Sequence, residues 1–298
     1  MTICLAGLLL FSMATSILSD ETVTALSSNT TTAERKKLPE LYQDNGDGFI
    51  VIGHRGAKAY YPENTMSSFR GAVKRGAEML ELDVQLSKDG VPVVFHDAKI
   101  NRTTNGNSEF LSKFTLGELK QFDAGSWFNK KFTGERIPTL EEVLKYSKNR
   151  IALNIEIKTE AVTDKLHDGV EEESLDLVKE YGMSRHVLFS SFDYRAVKHL
   201  KELDPQIPVA ILYNWEQSGE LMPSQLVEKY DADVFNCSRR ELSKAWVEDL
   251  KSHHIPFFVY TINQKRYMKS VIKKGASGIF TNKPDVLKKV ASKLLSVE

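Results

Sequence analysis

Residues 79–84 read MLELDV. In a β-strand successive side chains point to opposite faces, so Glu81 and Asp83 share one face while Leu80, Leu82 and Val84 take the other. The leucines and the valine belong against covering helices; the two carboxylates belong inside. Working outward, seven more short β-rich runs flank this one: FIVIGH (49–54), IALNIEI (151–157), HVLFSSF (186–192), IPVAILY (207–213), ADVFNC (232–237), PFFVYTI (256–262) and SGIFTN (277–282). Segments of helical period separate them, such as TMSSFRGAVKRG, TLEEVLKYS and QKRYMKSVIKKG, several ending in the glycine that suits a helix C-terminus. Alternating strand and helix predicts a parallel sheet with crossover helices, and eight strands close it into a (β/α)8 TIM barrel.

The stretch at about 90–138 breaks the alternation. VPVVFHD reads as an extra strand, and a long Asn/Gly/Lys-rich segment follows, predicting a small insertion after the second strand. The expected organisation is therefore a barrel domain over 49–298 carrying that insertion, preceded by two other segments. Residues 1–25 hold an apolar run from Ile3 to Leu18, and residues 26–48 a polar, Thr/Ser-rich linker. The run resembles a signal peptide. It lacks a positive residue before Arg35 and has 16 residues, which leaves an uncleaved membrane anchor as the alternative. Cleavage after Ala14 or Ala25 fits the small-residue rule, with a secreted or periplasmic location as the corollary. Membrane association is expected only through this segment.

With 298 residues, 41% hydrophobic and 27% charged, the chain has enough apolar residues for one large core. Forty basic residues balance forty acidic ones, so no global field draws in nucleic acid, and an anionic substrate must be caught locally. The two cysteines, Cys4 and Cys237, make no disulfide framework. Asn29, Asn101 and Asn236 fit the glycosylation pattern, although Asn236 ends a strand expected to be buried. QDNGDGFIVIGH (43–54) resembles a calcium loop, but Gln43 and His54 stand where such a loop has Asp and Glu; a turn into the first strand is expected.

Ionisable residues collect at the carboxyl ends of the strands, where barrel active sites lie. His54 and Arg55 end the first strand, Glu81 and Asp83 close the second, and Glu156 and Lys158 sit two apart on the third. A lone histidine there is ordinarily structural, and an inward Glu/Lys pair is ordinarily a buried salt bridge. Six such groups at one mouth depart from that. Inward carboxylates repel one another and lose hydration unless one is protonated or a cation compensates them. All-oxygen ligation by Glu81, Asp83 and Glu156 favours one divalent cation, Mg²⁺ or Ca²⁺, over zinc. His96 of the extra strand adds a second imidazole for proton transfer. Arg55 and Lys158 supply positive charge for phosphate oxygens.

Taken together, HRGAKAYYPENTMSSF (54–69), ELDVQLSKDGVPVVFHD (81–97) and NIEIK (154–158) resemble the glycerophosphodiester phosphodiesterase family. The resemblance extends through TLEEVL, YTIN and GIFTNKP, roughly residues 49–290. It implies a TIM barrel with a small insertion that hydrolyses a small-molecule glycerophosphodiester to an alcohol and glycerol 3-phosphate. His54 and His96 become the acid/base pair, Glu81, Asp83 and Glu156 the metal ligands, Arg55 and Lys158 the phosphate contacts. Glu63 and Asn64 of the PENT run, Trp127 and Tyr260 are candidate substrate-pocket residues. Glu63 and Asn64 either orient the metal-binding and catalytic groups or, for Asn64, cap the following helix, with capping and loop order the expected role; packing is the expected role of Trp127. Two departures stand out: Tyr260 where the family often has Trp, and Asn282 where it often has Asp. Both are expected to bear on substrate fit and not on the chemistry. The alternatives are phospholipase D-type action on lysophospholipid or sphingomyelin, and a barrel that only binds.

Overall fold

A computed structural model describes residues 48–164 and 167–295. The apolar run, most of the linker and Asn29 lie outside the described residues. Among the described residues no helix is long and apolar enough to cross a membrane.

All eight expected strands form. They are β1 (Ile50–Gly53), β2 (Met79–Leu86), β4 (Ala152–Ile157), β5 (Val187–Ser191), β6 (Val209–Leu212), β7 (Val234–Ser238), β8 (Phe257–Tyr260) and β9 (Gly278–Thr281), with β3 (Pro92–Val94) as the extra one. The eight pair in parallel, and β1 pairs with both β2 and β9, which closes a TIM barrel. The period-two reading of residues 79–84 holds. Leu80, Leu82, Val84, Ile155 and Ile157 pack in the layer shared with helix residues such as Phe69, Leu144 and Val197. Inside the barrel a separate cluster is built from Ile50, Ile52, Met79, Ala152, Leu188, Ala210, Val234, Phe258 and Phe280. Each fully buried Leu, Ile, Val or Phe contributes about 1.5–3 kcal/mol, so these two layers supply the driving force and free the mouth for polar groups. Asn236 is fully buried on β7, which bars a glycan there in the folded state.

β3 decides where His96 goes. It runs antiparallel to β2, pairing Val94 with Val84 and Pro92 with Leu86, so the chain doubles back along the strand it has just left. The reversal is a tight turn in which Ser87 and Val91 exchange hydrogen bonds and Gly90 takes φ +80°, a conformation glycine adopts without strain. Phe95 then donates its backbone N–H to the Asp83 carbonyl at 2.9 Å, which brings His96 back to the level of the carboxylates. The rest of the insertion holds together on its own apolar cluster of Val93, Phe95, Ile100, Leu111, Leu119, Ala124 and Ile137.

Candidate active site

The loop after β1 is folded around its own backbone. Arg55 and Gly56 both have positive φ, +51° and +82°. This turns the Arg55 backbone N–H onto Glu81 Oε2 at 2.5 Å while its side chain returns to Glu63 Oε1 at 2.7 Å and Asp83 Oδ2 at 3.3 Å. A Cβ on Gly56 would lie 2.4 Å from Ser68 Oγ and 2.6 Å from the Ser68 carbonyl carbon, so only glycine fits. Gly56→Ala is expected to cost at least about 1–3 kcal/mol, from the left-handed φ plus the clash, read as a lower melting temperature.

Glu81, Asp83 and Glu156 each present an oxygen within 4.8 Å of the others. Glu81 and Asp83 are buried and Glu156 half-buried, at the ends of adjacent strands whose register sets Asp83 beside Glu156. Two cations share the cluster with them. Lys158 Nζ lies 2.6 Å from Glu156 Oε1 and 3.4 Å from Asp83 Oδ1, and Arg55 takes the other Asp83 oxygen. Three carboxylates against two cations, one of them shared with Glu63, leave the cluster negative. Burial and the neighbouring carboxylates push the Glu81 carboxyl well above its usual range and that of Glu156 up to about 7. For Asp83 burial acts the same way but is outweighed by Arg55, Lys158, His96 and the Asn64 hydrogen bond, which hold it below the usual carboxylate range. Asp83 Oδ1 is buried without a hydrogen bond. A buried carboxylate oxygen met only by a long ion pair to Lys158, in an oxygen-only cluster with more carboxylates than cations, fits a hard divalent cation.

The two histidines are backed differently. His54 follows β1, and its Nδ1 meets Asn282 Oδ1 at 2.7 Å. Burial first, then the charges of Arg55 and Lys58, lower its pKa to about 3. The ring is neutral near pH 7. His96 Nδ1 lies 2.5 Å from Asp97 Oδ1, and Gln85 pins the backbone on either side through the carbonyls of Phe95 and Asp97. Arg102 clamps Asp97 and reaches across to Glu63 at 2.7 Å. Burial lowers the His96 pKa as well, in net. Among the described residues no side chain or backbone group hydrogen-bonds Nε2 of either ring.

The structure thus brings together His54, Arg55, Glu81, Asp83, His96, Glu156 and Lys158. Two readings change, those of Asn64 and Asn282. Asn64 does not cap the helix Met66–Lys74; Thr65 does, accepting from Ser68 N. Asn64 instead takes φ +55° and donates to Asp83 Oδ2 at 2.8 Å, orienting that carboxylate. Glu63 collects Arg55, Lys58 and Arg102 and is a charge hub. Asn282 touches His54 directly, so its departure falls against a residue expected to transfer protons and not on substrate fit alone. Trp127 donates its indole N–H to the Ala124 carbonyl at 2.9 Å and packs on Phe128, within the insertion. Tyr260 packs edge-on against Phe192 and Phe280 at the end of β8. Sequence reasoning gave Asp97 and Arg102 no role; the HD pair was the one signal available for Asp97.

Comparison with known proteins places this arrangement. The glycerophosphoryl diester phosphodiesterase family model matches residues 54–286. A glycerophosphodiester phosphodiesterase from Caldanaerobacter subterraneus subsp. tengcongensis is 38% identical over 239 residues, 80% of this chain and 96% of that protein. Another from Bacillus subtilis is 32% identical, over 82% and 87% of the two chains. A phosphodiesterase of Oleispira antarctica, solved with the product sn-glycerol-3-phosphate, aligns with a TM-score of 0.73 at 30% identity, covering 81% of this chain and 96% of that one. The chain belongs to the glycerophosphoryl diester phosphodiesterase family.

Proposed function

We propose that the chain hydrolyses glycerophosphodiesters to an alcohol and glycerol 3-phosphate, with one divalent cation, Mg²⁺ or Ca²⁺, held by Glu81, Asp83 and Glu156 and proton transfer by His54 and His96. The observation that carries this reading is a carboxylate triad flanked by two imidazoles, each anchored through Nδ1 and free at Nε2. The cation, when bound, supplies Lewis acidity toward a phosphoryl oxygen. Arg55 spends Nη1 on Glu63, and Lys158 one proton on Glu156, so each keeps donors for the remaining phosphate oxygens. One imidazole enters neutral and takes a proton from the attacking water at Nε2; the other enters as imidazolium and gives its Nε2 proton to the departing alkoxide. H and OH of one water are thereby added across the broken P–O bond, and a proton passing from the first ring to the second through solvent resets the pair. The product bound by the Oleispira antarctica relative supports glycerol 3-phosphate as the product here.

The test is release of glycerol 3-phosphate from glycerophosphocholine, with lysophosphatidylcholine in parallel, in Mg²⁺, in Ca²⁺ and in chelator. Release from the water-soluble diester that chelator lowers by at least about 10²-fold supports the reading. Turnover of the lysolipid alone moves the assignment to the phospholipase D type, and no turnover of either in a folded, cation-loaded protein overturns it. Cation binding should also depend on pH. Because Glu156 is pushed up to about 7, its proton competes with the cation below that value, and the melting-temperature gain from added Mg²⁺ or Ca²⁺ should fade as pH falls from 8 to about 5. Without the cation the sign reverses. Fold-favoured protonation of Glu156 stabilises fully below the ordinary value of 4.5 and is lost as pH rises through about 7.

A further inference from the structure

Asn282 sits on the last strand's exit and His54 on the first strand's, 228 residues apart in sequence, and the barrel's closure makes them neighbours. Gly53 pairs with Thr281 in the β1–β9 register, and the His54 backbone N–H donates to the Thr281 carbonyl at 3.0 Å. The next residue along each strand completes the contact, His54 Nδ1 to Asn282 Oδ1 at 2.7 Å.

Asn282 is itself held. Its backbone N–H donates to Asn263 Oδ1 at 2.8 Å, and its carbonyl accepts from Ala59 N at 3.1 Å. Thr281 Oγ1 also reaches Asn263 Oδ1, at 3.3 Å. An asparagine from the YTIN run thus fixes the segment that carries Asn282, and Asn282 faces the imidazole.

Resting on the function proposed above, we propose that Asn282 is a positioning residue for His54: its side-chain oxygen holds the ring in the Nδ1–H tautomer and leaves the lone pair on Nε2. The tautomer of a histidine is set by the bond its other nitrogen makes. An amide oxygen accepts from Nδ1–H and carries no net charge, so it orients the ring without the extra favour to imidazolium that a carboxylate gives. His96 has that carboxylate, Asp97, with Arg102 behind it. The site therefore pairs one imidazole on a neutral acceptor with one on a charged acceptor.

The experiment is a long-range ¹H–¹⁵N correlation spectrum of the ¹⁵N-labelled full chain near pH 7, with His54 assigned by its loss in His54→Gln, together with steady-state kinetics of Asn282→Leu and Asn282→Asp. The wild type should show Nδ1 protonated and Nε2 bare. Asn282→Leu should lose that single tautomer and lower kcat by about 10–100-fold while KM stays within about twofold; Asn282→Asp, which keeps an acceptor, should recover most of the rate and the tautomer. A wild-type spectrum with Nε2 protonated, or an Asn282→Leu kcat within about threefold of wild type, overturns the proposal. If Asn282→Leu does not fold, the wild-type spectrum still decides the tautomer. An inactive wild type that nonetheless shows Nδ1–H would sink the proposed reaction and leave the ring's anchoring by Asn282 standing.

Discussion

His54→Ala and His96→Ala are each expected to lower kcat on glycerophosphocholine by about 10²–10⁴-fold, the range for removing a positioned acid or base. The double variant should be little worse than the poorer single one, because groups that act on one proton-transfer cycle are not additive. Neither change should cost much fold. His54 gives up one side-chain hydrogen bond, to Asn282, worth about 0.5–1.5 kcal/mol. His96 gives up one to Asp97, which Arg102 continues to hold. Melting temperatures close to wild type, beside a collapsed kcat, are the signature sought. A substrate whose leaving group needs no protonation, such as a p-nitrophenyl phosphodiester, separates the two roles: the variant lacking the acid should recover on it, and the variant lacking the base should not. Residual kcat within about tenfold of wild type in both variants would remove the histidines from the chemistry.

The parts of this site that were legible in the sequence are those set by local periodicity. Glu81 and Asp83 had to share a face because strands alternate, and the same rule placed Leu80, Leu82 and Val84 in the helix-facing layer. Glu156 followed from the same pattern on β4, and register between neighbours then set it beside Asp83. What escaped was fixed by register and by irregular backbone. Asn282 meets His54 only because β9 returns to β1, with pairing that a strand list does not contain. Asn64 looked like a helix cap, yet its positive φ leaves the extended conformation and the capping hydroxyl to Thr65, one residue later. Arg102 lies on a short 3₁₀ turn in the insertion, where no apolar period predicts which side chain turns back toward Glu63. His96 occupies the middle ground. The VPVVFHD run announced a strand, but only its antiparallel pairing on β2 explains why the histidine comes back to the mouth.

Glu63→Gln is expected to be the most destabilising single change near the site, at about 3–5 kcal/mol, the cost of leaving buried charge unpartnered. Glu63 is 5% exposed and faces three cations: Arg55 at 2.7 Å, Lys58 at 2.9 Å and Arg102 at 2.7 Å. An amide offers one acceptor oxygen and no charge, so Lys58 loses the carboxylate it pairs with, and Arg55 and Arg102 are left with Asp83 and Asp97 alone. For a domain of this size each kcal/mol moves the melting temperature by about 2–4 °C, which predicts a fall of roughly 6–20 °C. The loss should carry a pH signature. Burial opposes ionisation of Glu63, but the Arg102 hydrogen bonds and the charges of Arg55 and Lys58 outweigh it and hold the carboxyl below its ordinary 4.5. A depressed carboxylate stabilises above its unfolded value and loses that contribution as pH falls through the folded one. Wild type should therefore lose stability steadily as pH drops below about 4.5, and Glu63→Gln should flatten that limb, so the two melting curves converge in acid. Activity should fall as well, since Arg55 spans Glu63 and Asp83 while Arg102 spans Glu63 and the carboxylate behind His96. Parallel pH dependences for the two proteins, offset by a constant, would mean that the three cations are satisfied by solvent and that the hub stabilises nothing.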